Sequence, residues 1–407
     1  MRSLQYRDFR LLLLGASSFW MGMFIQYVAQ GWLVLRITDS AFWVGLVGSA
    51  GALPILLLSP LGGVVADRVD RKRLMTFCRT AIALSVLLLG LLTTLDMINR
   101  WHILLVALLN STLAAFDVPA RQALVAELIP EEDVGNGVAL TSTALNITMV
   151  LGPAIGAGLV GLLGEEVGFY AAAAGNAGMV AALLLMKTRP PSRARQRRTP
   201  SQEMLSVMHY VIRQRELQGI LLLAAVASSF GGAVNVLLPV FARDVLGGEA
   251  RDLGILTMAS GIGAVAGTSA LLALKQFHRK GLSLLISFWA GSVAQMAFAA
   301  SSIYGFSVAA LVIQGAATSF QMAQSQSLLL TLPARNFHGR IMGLFMMLGF
   351  GASSVSSLGY GALAEAWGPQ LTTLSAGAAG LSVSLLLAWR RPSVFRVAKT
   401  ELTADRP

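Results

Sequence analysis

The sequence contains little cysteine, histidine or charge for its length. Its 407 residues include one cysteine and four histidines, and only 13% are Asp, Glu, Lys or Arg. The single cysteine, Cys78, excludes a disulfide within the chain and a thiolate metal cluster. The histidines lack the paired spacing of metal ligands, so we predict no metal site and no cofactor; they are His102, His209, His278 and His338.

The chain also lacks the motifs of common enzyme sites. It has no Gly-x-x-x-x-Gly-Lys phosphate loop and no His-Glu-x-x-His zinc motif. The segment GAGLVG, Gly156 to Gly161, formally matches the dinucleotide-binding pattern, but it lies within an apolar run that no strand precedes. We therefore predict that the protein is not an enzyme. The sequence also has no nucleotide-binding domain, which argues against transport driven by ATP hydrolysis in this chain.

Apolar residues dominate the composition. They make up 55% of the chain, and the mean hydropathy is +0.67, above the range of ordinary soluble domains. Runs near the roughly 20 residues that cross a bilayer predict twelve transmembrane helices and an all-α membrane protein. The predicted spans are Leu11–Leu35, Trp43–Ala66, Leu74–Leu95, Trp101–Ala123, Val138–Leu163, Phe169–Met186, Gly219–Ala242, Leu253–Leu274, Leu282–Ala300, Gly305–Leu332, Gly339–Ala364 and Leu371–Trp389.

Positive charge is concentrated on one side of these spans. If both termini lie in the cytoplasm, only four of the 31 Lys and Arg residues fall on the outer side: Arg36, Arg100, Arg243 and Arg251. This asymmetry predicts a multi-pass membrane protein with both termini in the cytoplasm. The net charge of +11 then reflects loops that face anionic lipid. We expect the lipid bilayer, and no nucleic acid, as a partner, and we expect a monomer.

One long polar segment divides the spans into two sets of six. Residues 187–204, KTRPPSRARQRRTPSQEM, have the proline- and arginine-rich composition of a flexible linker. A weak internal repeat supports the division, since Pro130, Gly156 and Gly158 fall on Pro333, Gly359 and Gly361 at one constant shift. We predict an N-terminal six-helix half, a basic cytoplasmic linker, a C-terminal six-helix half and a cytoplasmic tail, at residues 1–186, 187–217, 218–390 and 391–407.

A short charged segment carries a family resemblance. The sequence GVVADRVDRK, residues 63–72, resembles the signature of major facilitator superfamily transporters between the second and third helices. The segments RDFRLLLLG and FDVPARQALVAELIP resemble its bacterial macrolide-efflux and enterobactin-export branch of drug:proton antiporters. The resemblance implies two six-helix halves related by a pseudo-two-fold axis. Asp70 stands where the pattern usually has glycine, and the matching residues are Gly63, Asp67, Arg68, Arg71 and Lys72.

The resemblance also implies a cytoplasmic gate at this motif. Asp67, at the end of the second helix, would meet the positive N-terminal end of the eleventh helix near Gly339 and Arg340. Such a contact would tie the two halves together on the inner side and break when the gate opens. The alternative is a loop that only fixes topology. We further expect the basic residues from Arg71 to Arg73 to anchor the loop to anionic lipid.

A glycine-rich segment marks the fifth predicted helix. The sequence LGPAIGAG, residues 151–158, resembles the signature of exporters and antiporters in this superfamily, although Thr148 stands where an upstream glycine is common. A kink at the proline and a face without side chains would let a neighbouring helix approach closely. The alternative is ordinary packing in a chain with 41 glycines. The matching residues are Gly152, Pro153, Gly156 and Gly158.

Asp117 is the one acidic residue that lies well inside a predicted span. An ionisable group in a bilayer is costly and therefore a functional hypothesis. Arg121 follows one turn later on the same helix face, and the resemblance implies a fourth-helix arginine in proton-linked members. We predict that the pair couples transport to protons, with the carboxyl gaining a proton when a conformational change separates it from Arg121. The alternative is a purely structural ion pair.

Amide side chains mark a predicted substrate cavity. The resemblance places binding sites near the bilayer midplane, lined by the first, fourth, seventh and tenth spans. No second deep acid and no cluster of deep bases is expected, which indicates a large amphipathic or hydrophobic substrate. Each of these side chains could instead serve helix packing. The candidates are Gln26, Gln30, Asn110, Asn235, Gln314, Gln321 and Gln324.

These features together predict a transporter that works by alternating access between two halves. The predicted function is proton-coupled export of hydrophobic drugs or of secreted small molecules such as siderophores across the bacterial inner membrane, a location that the resemblance implies. The alternative within the same fold is a proton-linked importer of a small organic solute. A receptor or assembly factor that transports nothing is a further alternative, which an inert central cavity would indicate.

Overall fold

Helices form almost all of the structure. In a computed structural model, the described residues are 2–130, 133–187, 208, 210–273, 280–333 and 338–390. Within these ranges, twelve helices are long and apolar enough to cross a membrane, and no strand is present. This confirms the prediction of an all-α protein with twelve transmembrane helices.

Thirteen helices build these twelve spans, because two shorter helices share the second span. A 3₁₀ turn over Arg2–Gln5 precedes the first helix, and a π-helical turn over Phe241–Val245 follows the eighth. The helices are α1 Arg7–Thr38, α2 Ala41–Ala50, α3 Leu53–Arg68, α4 Arg71–Thr94, α5 Arg100–Leu128, α6 Val134–Leu163, α7 Glu165–Leu185, α8 Arg215–Val240, α9 Ala250–Ala273, α10 Lys280–Ala300, α11 Tyr304–Thr331, α12 His338–Trp367 and α13 Pro369–Arg390.

The second span differs from its prediction as one uninterrupted helix. It is formed by α2 and α3, which are separated by two residues. In a continuous helix Pro54 would have to donate a backbone hydrogen bond to the Ala50 carbonyl, and proline has no N–H to donate. The Ser111 hydroxyl of α5 donates to that carbonyl at 2.8 Å instead. Hydropathy does not detect the break, because the residues on both sides are equally apolar.

The chain divides into two compact units. The first comprises Met1–Arg197 and Ala242–Met258, and the second comprises Arg198–Phe241 and Ala259–Pro407. Most of the predicted linker and all of the predicted tail lie outside the described residues. The proposed boundaries of the two halves therefore stay predictions.

The core of the first unit forms around α1. Gly22 of α1 lies against the backbone of α7, since a Cβ at this position would be 2.9 Å from the Ala172 carbonyl oxygen. Such close approach is the packing that small residues allow between membrane helices. Buried side chains of α1, α4, α5 and α7 meet in this core, among them Phe9, Phe19, Met75, Ala120 and Met179.

The second unit has a separate core formed by α8, α10, α11 and α12. Its buried residues include Leu217, Leu223, Leu284, Phe288, Leu328 and Phe345. In the described helices of this unit, charged residues stand only in the first or last turn. The first unit differs, because charged side chains also lie in the middle of its helices.

Candidate functional site

A buried carboxylate in the first unit is held by an arginine from a neighbouring helix. Asp117 of α5 is 0% exposed, and Arg79 of α4 binds both of its oxygens. The Arg79 Nε donates to Asp117 Oδ1 at 2.9 Å, and Nη2 donates to Oδ2. This two-point geometry is the strong form of an arginine–carboxylate contact. Arg79 is thus the principal partner of Asp117, a role that the sequence analysis gave to Arg121.

Arg121 is a second, looser partner of the same carboxylate. Its Nε lies 3.7 Å from Asp117 Oδ2, and this buried nitrogen has no hydrogen-bond partner. The Arg121 side chain is 16% exposed, against 3% for Arg79.

The expectation that no cluster of deep bases exists is wrong, because two guanidinium groups flank one carboxylate. An arginine inside a predicted span is as costly as an acid, so Arg79 could have been identified from the sequence.

Aromatic and amide side chains complete the surroundings of the two guanidinium groups. The Arg79 Cζ lies 3.4 Å from the ring centroid of Phe19, and the Arg121 Cζ lies 5.3 Å from that of Trp20. Both rings belong to α1 and provide cation–π contacts away from water. The Asn176 side chain of α7 accepts from Arg79 Nη1 at 3.3 Å. Four helices therefore hold the cluster.

A cavity of about 310 Å³ adjoins this cluster within the first unit. It lies between α1, α5 and α6. Arg121 is the only charged residue among the described residues that line it. The lining consists of Phe9, Leu12, Leu13, Ala16, Arg121, Gln122, Val125, Val138, Thr141 and Ser142.

The charged motif forms the turn between α3 and α4. Asp70 caps α4, since its side chain accepts from the Arg73 backbone N–H at 2.8 Å. This explains why an aspartate can stand where the superfamily pattern has glycine: the turn needs a side-chain acceptor here, and Asp70 adopts an ordinary extended backbone. Arg68 ends α3 and is exposed.

Two basic residues of the motif bind protein groups, and their expected contact with anionic lipid stays a prediction. Arg71 forms an ion pair with Glu127 of α5 and donates to the Ala66 carbonyl at 3.2 Å. Lys72 donates to the Met186 carbonyl at 2.6 Å. The motif therefore ties together the helix ends of the second, third, fourth and sixth spans.

The predicted gate contact itself lies outside what the structure describes. The side chains of Asp67 and Arg340 are not among the described ones. Gly63 is described, and a Cβ at this position would meet no atom within 4 Å. The gate stays a prediction.

The glycine motif of the fifth span packs on α1 at two of its three glycines. Pro153 lies inside α6, which continues through it. A Cβ on Gly152 would be 2.5 Å from the Phe24 Cβ, and one on Gly156 would be 3.0 Å from the Ile25 Cα. A Cβ on Gly158 would meet no atom within 4 Å. The expected close helix approach is therefore present at Gly152 and Gly156 and absent at Gly158.

This difference gives a matched pair of variants. Gly152→Ala is expected to lower stability by roughly 1–3 kcal/mol, because Phe24 or the whole of α1 must move. Gly158→Ala is expected to be neutral or mildly stabilising, because alanine favours helix by up to about 1 kcal/mol over glycine. Thermal unfolding of both purified variants in detergent tests this. Equal effects at the two positions would contradict the packing described for α6.

The predicted cavity residues of the first unit bind one another or close neighbours. The Gln26 amide donates to the Gln30 side chain at 3.0 Å, one helical turn away. The Asn110 side chain accepts from the Ser85 hydroxyl at 2.7 Å. All three candidates are partly buried, and their role in substrate binding stays a prediction.

The predicted cavity residues of the second unit divide into exposed and buried groups. Asn235 of α8 is exposed. Three glutamines of α11 are each 4% exposed, and one of them, Gln324, donates to the Lys280 carbonyl at 3.3 Å. This burial is consistent with either cavity lining or packing. The three are Gln314, Gln321 and Gln324.

Metal-ligating side chains do not cluster in the part of the chain that the structure describes. No group of three His, Cys, Asp or Glu residues there could hold a metal ion. The site is instead an ion-pair cluster beside an apolar cavity.

Solved structures show which class of protein has this fold. A bacterial homologue of the human lysosomal transporter Spinster matches with a TM-score of 0.75 at 15% identity, covering 96% of this chain and 98% of its own. A POT family transporter in complex with 5-aminolevulinic acid matches with a TM-score of 0.75 at 13% identity, covering 94% and 96%. At these identities the likeness shows the fold alone.

Sequence comparison then gives the family. The chain belongs to the transmembrane secretion effector family, whose model matches residues 2–404. The protein is therefore a multi-pass membrane transporter, which confirms the superfamily assignment made from the charged motif.

Two curated relatives are named for siderophores. The enterobactin exporter of Shigella boydii is 27% identical over 394 residues, which cover 94% of this chain and 93% of that protein. The staphyloferrin A transporter of Staphylococcus aureus is 28% identical over 266 residues, which cover 63% of this chain and 65% of that protein. The chain thus spans just under two thirds of the second relative.

Proposed function

We propose that the protein is a proton-coupled exporter of siderophore-like secreted molecules or hydrophobic drugs in a bacterial inner membrane. The similarity to an enterobactin exporter over 94% of the chain carries this proposal. The concentration of Lys and Arg on one side supports the orientation, with both termini and the charged motif in the cytoplasm. Transport would proceed by alternating access, with Asp117 as the proton-binding group.

The ion-pair cluster sets a condition on proton binding. Among the residues that the structure describes, Asp117 is the one carboxylate beside Arg79 and Arg121. Protonation there would leave two guanidinium groups without a counter-charge in a low-dielectric interior, which is costly. The proton would therefore bind in a second conformation in which Asp117 has separated from Arg79. Because these two residues lie on α5 and α4, a shift between the helices would link protonation to conformational change.

Proton flux in proteoliposomes tests this proposal. The purified protein is given enterobactin, staphyloferrin A or a macrolide, and substrate-dependent proton movement is followed with a pH-sensitive dye. We expect the wild type to exchange substrate for protons and Asp117→Asn to lose about tenfold or more of this exchange. Asp96→Asn is the matched control, because Asp96 is exposed in a loop, and asparagine tolerates its positive φ of 54°.

The outcomes separate the alternatives. Undiminished exchange in Asp117→Asn would move the proton site elsewhere and leave Asp117 as half of a structural ion pair. Movement of substrate and protons in the same direction would favour a proton-linked importer. Transport of every substrate without proton movement would contradict proton coupling.

A further inference from the structure

The ion-pair cluster carries one more positive than negative charge. Arg79 and Arg121 together contribute two charges, and Asp117 contributes one opposite charge. The other side chains described in contact with the cluster are neutral: Phe19, Trp20 and Asn176. Because Arg79 already binds both carboxylate oxygens, Arg121 is the residue with unused hydrogen-bonding capacity. A buried guanidinium group without a full set of acceptors is unfavourable and favours an added anion.

The cavity places space for an anion directly beside Arg121. About 310 Å³ is enough for a small aromatic or aliphatic molecule. The inner walls are apolar, formed by Phe9, Leu12, Ala16 and their neighbours on α1. Exposed side chains stand at the opening, among them Gln122, Val138 and Ser142.

We infer that this cavity binds an anionic group carried on an apolar skeleton, with Arg121 as the residue that binds the anion. This inference rests on the proposed function in naming its substrate class: amphipathic anions, such as aromatic carboxylates, rather than hydrophobic cations. A cation in the cavity would stand beside the positive cluster and be repelled. A neutral molecule would leave Arg121 without its acceptor.

Calorimetry on the full-length protein in detergent, without any gradient, tests the inference. The probes are 2-naphthoate and 2-naphthamide, which share shape and apolar area and differ in charge. We expect 2-naphthoate to bind at least about tenfold more tightly than 2-naphthamide, since a carboxylate forms a charge-assisted contact with arginine. Arg121→Gln should remove this preference. Arg121→Lys should keep part of it, because lysine keeps the positive charge but lacks the planar guanidinium that binds both oxygens of a carboxylate.

Two further variants keep the test decisive if Arg121→Gln fails to fold. Val138→Trp narrows the opening at a position that is already 51% exposed, and it should weaken binding of both probes. Arg10→Gln removes an exposed positive charge of α1 that does not line the cavity, and it should leave binding unchanged. Equal binding of the two probes by the wild type, or an unchanged preference in folded Arg121→Gln, would overturn the inference.

An anionic lipid offers the same chemistry as a soluble anion. The calorimetry is therefore repeated in nanodiscs of phosphatidylcholine with and without phosphatidylglycerol. Loss of 2-naphthoate binding only with phosphatidylglycerol would assign the site to lipid and overturn the assignment to a solute. Because binding is measured without proton movement, a failure of proton coupling in proteoliposomes would leave this result intact.

Discussion

Arg79→Gln is expected to destabilise the protein by about 3–5 kcal/mol, since it leaves the Asp117 carboxylate buried without its two-point partner. Arg121 does not replace this contact in the described conformation, because its Nε lies 3.7 Å from the carboxylate and forms no hydrogen bond. The Asn176 Oδ1 would lose its contact with Arg79 as well. The loss is measured as a lower unfolding temperature of the purified variant in detergent.

A double-mutant cycle separates the ion pair from general damage to the core. Arg79→Gln combined with Asp117→Asn removes both charges of the pair, so the double variant should be more stable than Arg79→Gln alone. Arg73→Gln is the matched control, because Arg73 is an exposed arginine at the start of the same helix, and an effect within about 0.5 kcal/mol is expected. Additive losses in the cycle would show that the pair contributes no coupling energy. A folded double variant that still exchanges protons would make the cluster purely structural.

Gly62→Ala is expected to lower stability by roughly 1–3 kcal/mol or more, because α3 crosses α5 with no room for a side chain. A Cβ at position 62 would be 2.0 Å from the Ala115 carbonyl oxygen and 3.2 Å from the Phe116 Cα. Both are backbone atoms, so the helices must separate to relieve the clash. The contact also lies one turn before Pro119, which is inside α5 and provides no N–H for that carbonyl. Thermal unfolding and protease resistance in detergent measure the effect.

The adjacent glycine provides an internal control. Gly63 lies one residue further along α3 and faces open space, so Gly63→Ala should be neutral or stabilising by up to about 1 kcal/mol. A loss of stability in Gly63→Ala as large as that in Gly62→Ala would contradict the described orientation of α3. If Gly63→Ala is stable but fails to transport, the motif glycine has a role in the transport cycle rather than in packing.

Mid-helix charges give the two units different chemistry. Among the described helices, only those of the first unit carry charged side chains far from their ends, and these are Arg79, Asp117 and Arg121. Variants that alter one of these three charges should therefore change the proposed proton coupling and anion preference. Variants of the buried glutamines in α11 should act through neutral hydrogen bonding or packing.

The charged motif between α3 and α4 could be identified from the sequence, although the contacts of its side chains could not. Its residues indicated the superfamily, because their types and spacing are visible in the sequence. Their partners were not visible: Arg71 binds Glu127, and Lys72 binds the Met186 carbonyl, both far away along the chain. Long side chains at helix ends bind whichever groups the packing brings near, and the sequence does not show which protein groups these are.

The sequence by itself determined the twelve spans, the helical class and the position of Asp117 inside a span. Hydropathy over about 20 residues and the high cost of a charge in a bilayer are local properties that need no knowledge of neighbours. Tertiary structure alone decided that Arg79 is the main partner of Asp117, that Arg121 faces a cavity, and that Gly62 rather than Gly63 meets α5. These facts depend on which helices pack together and at what rotation, and residues far apart in the chain set both.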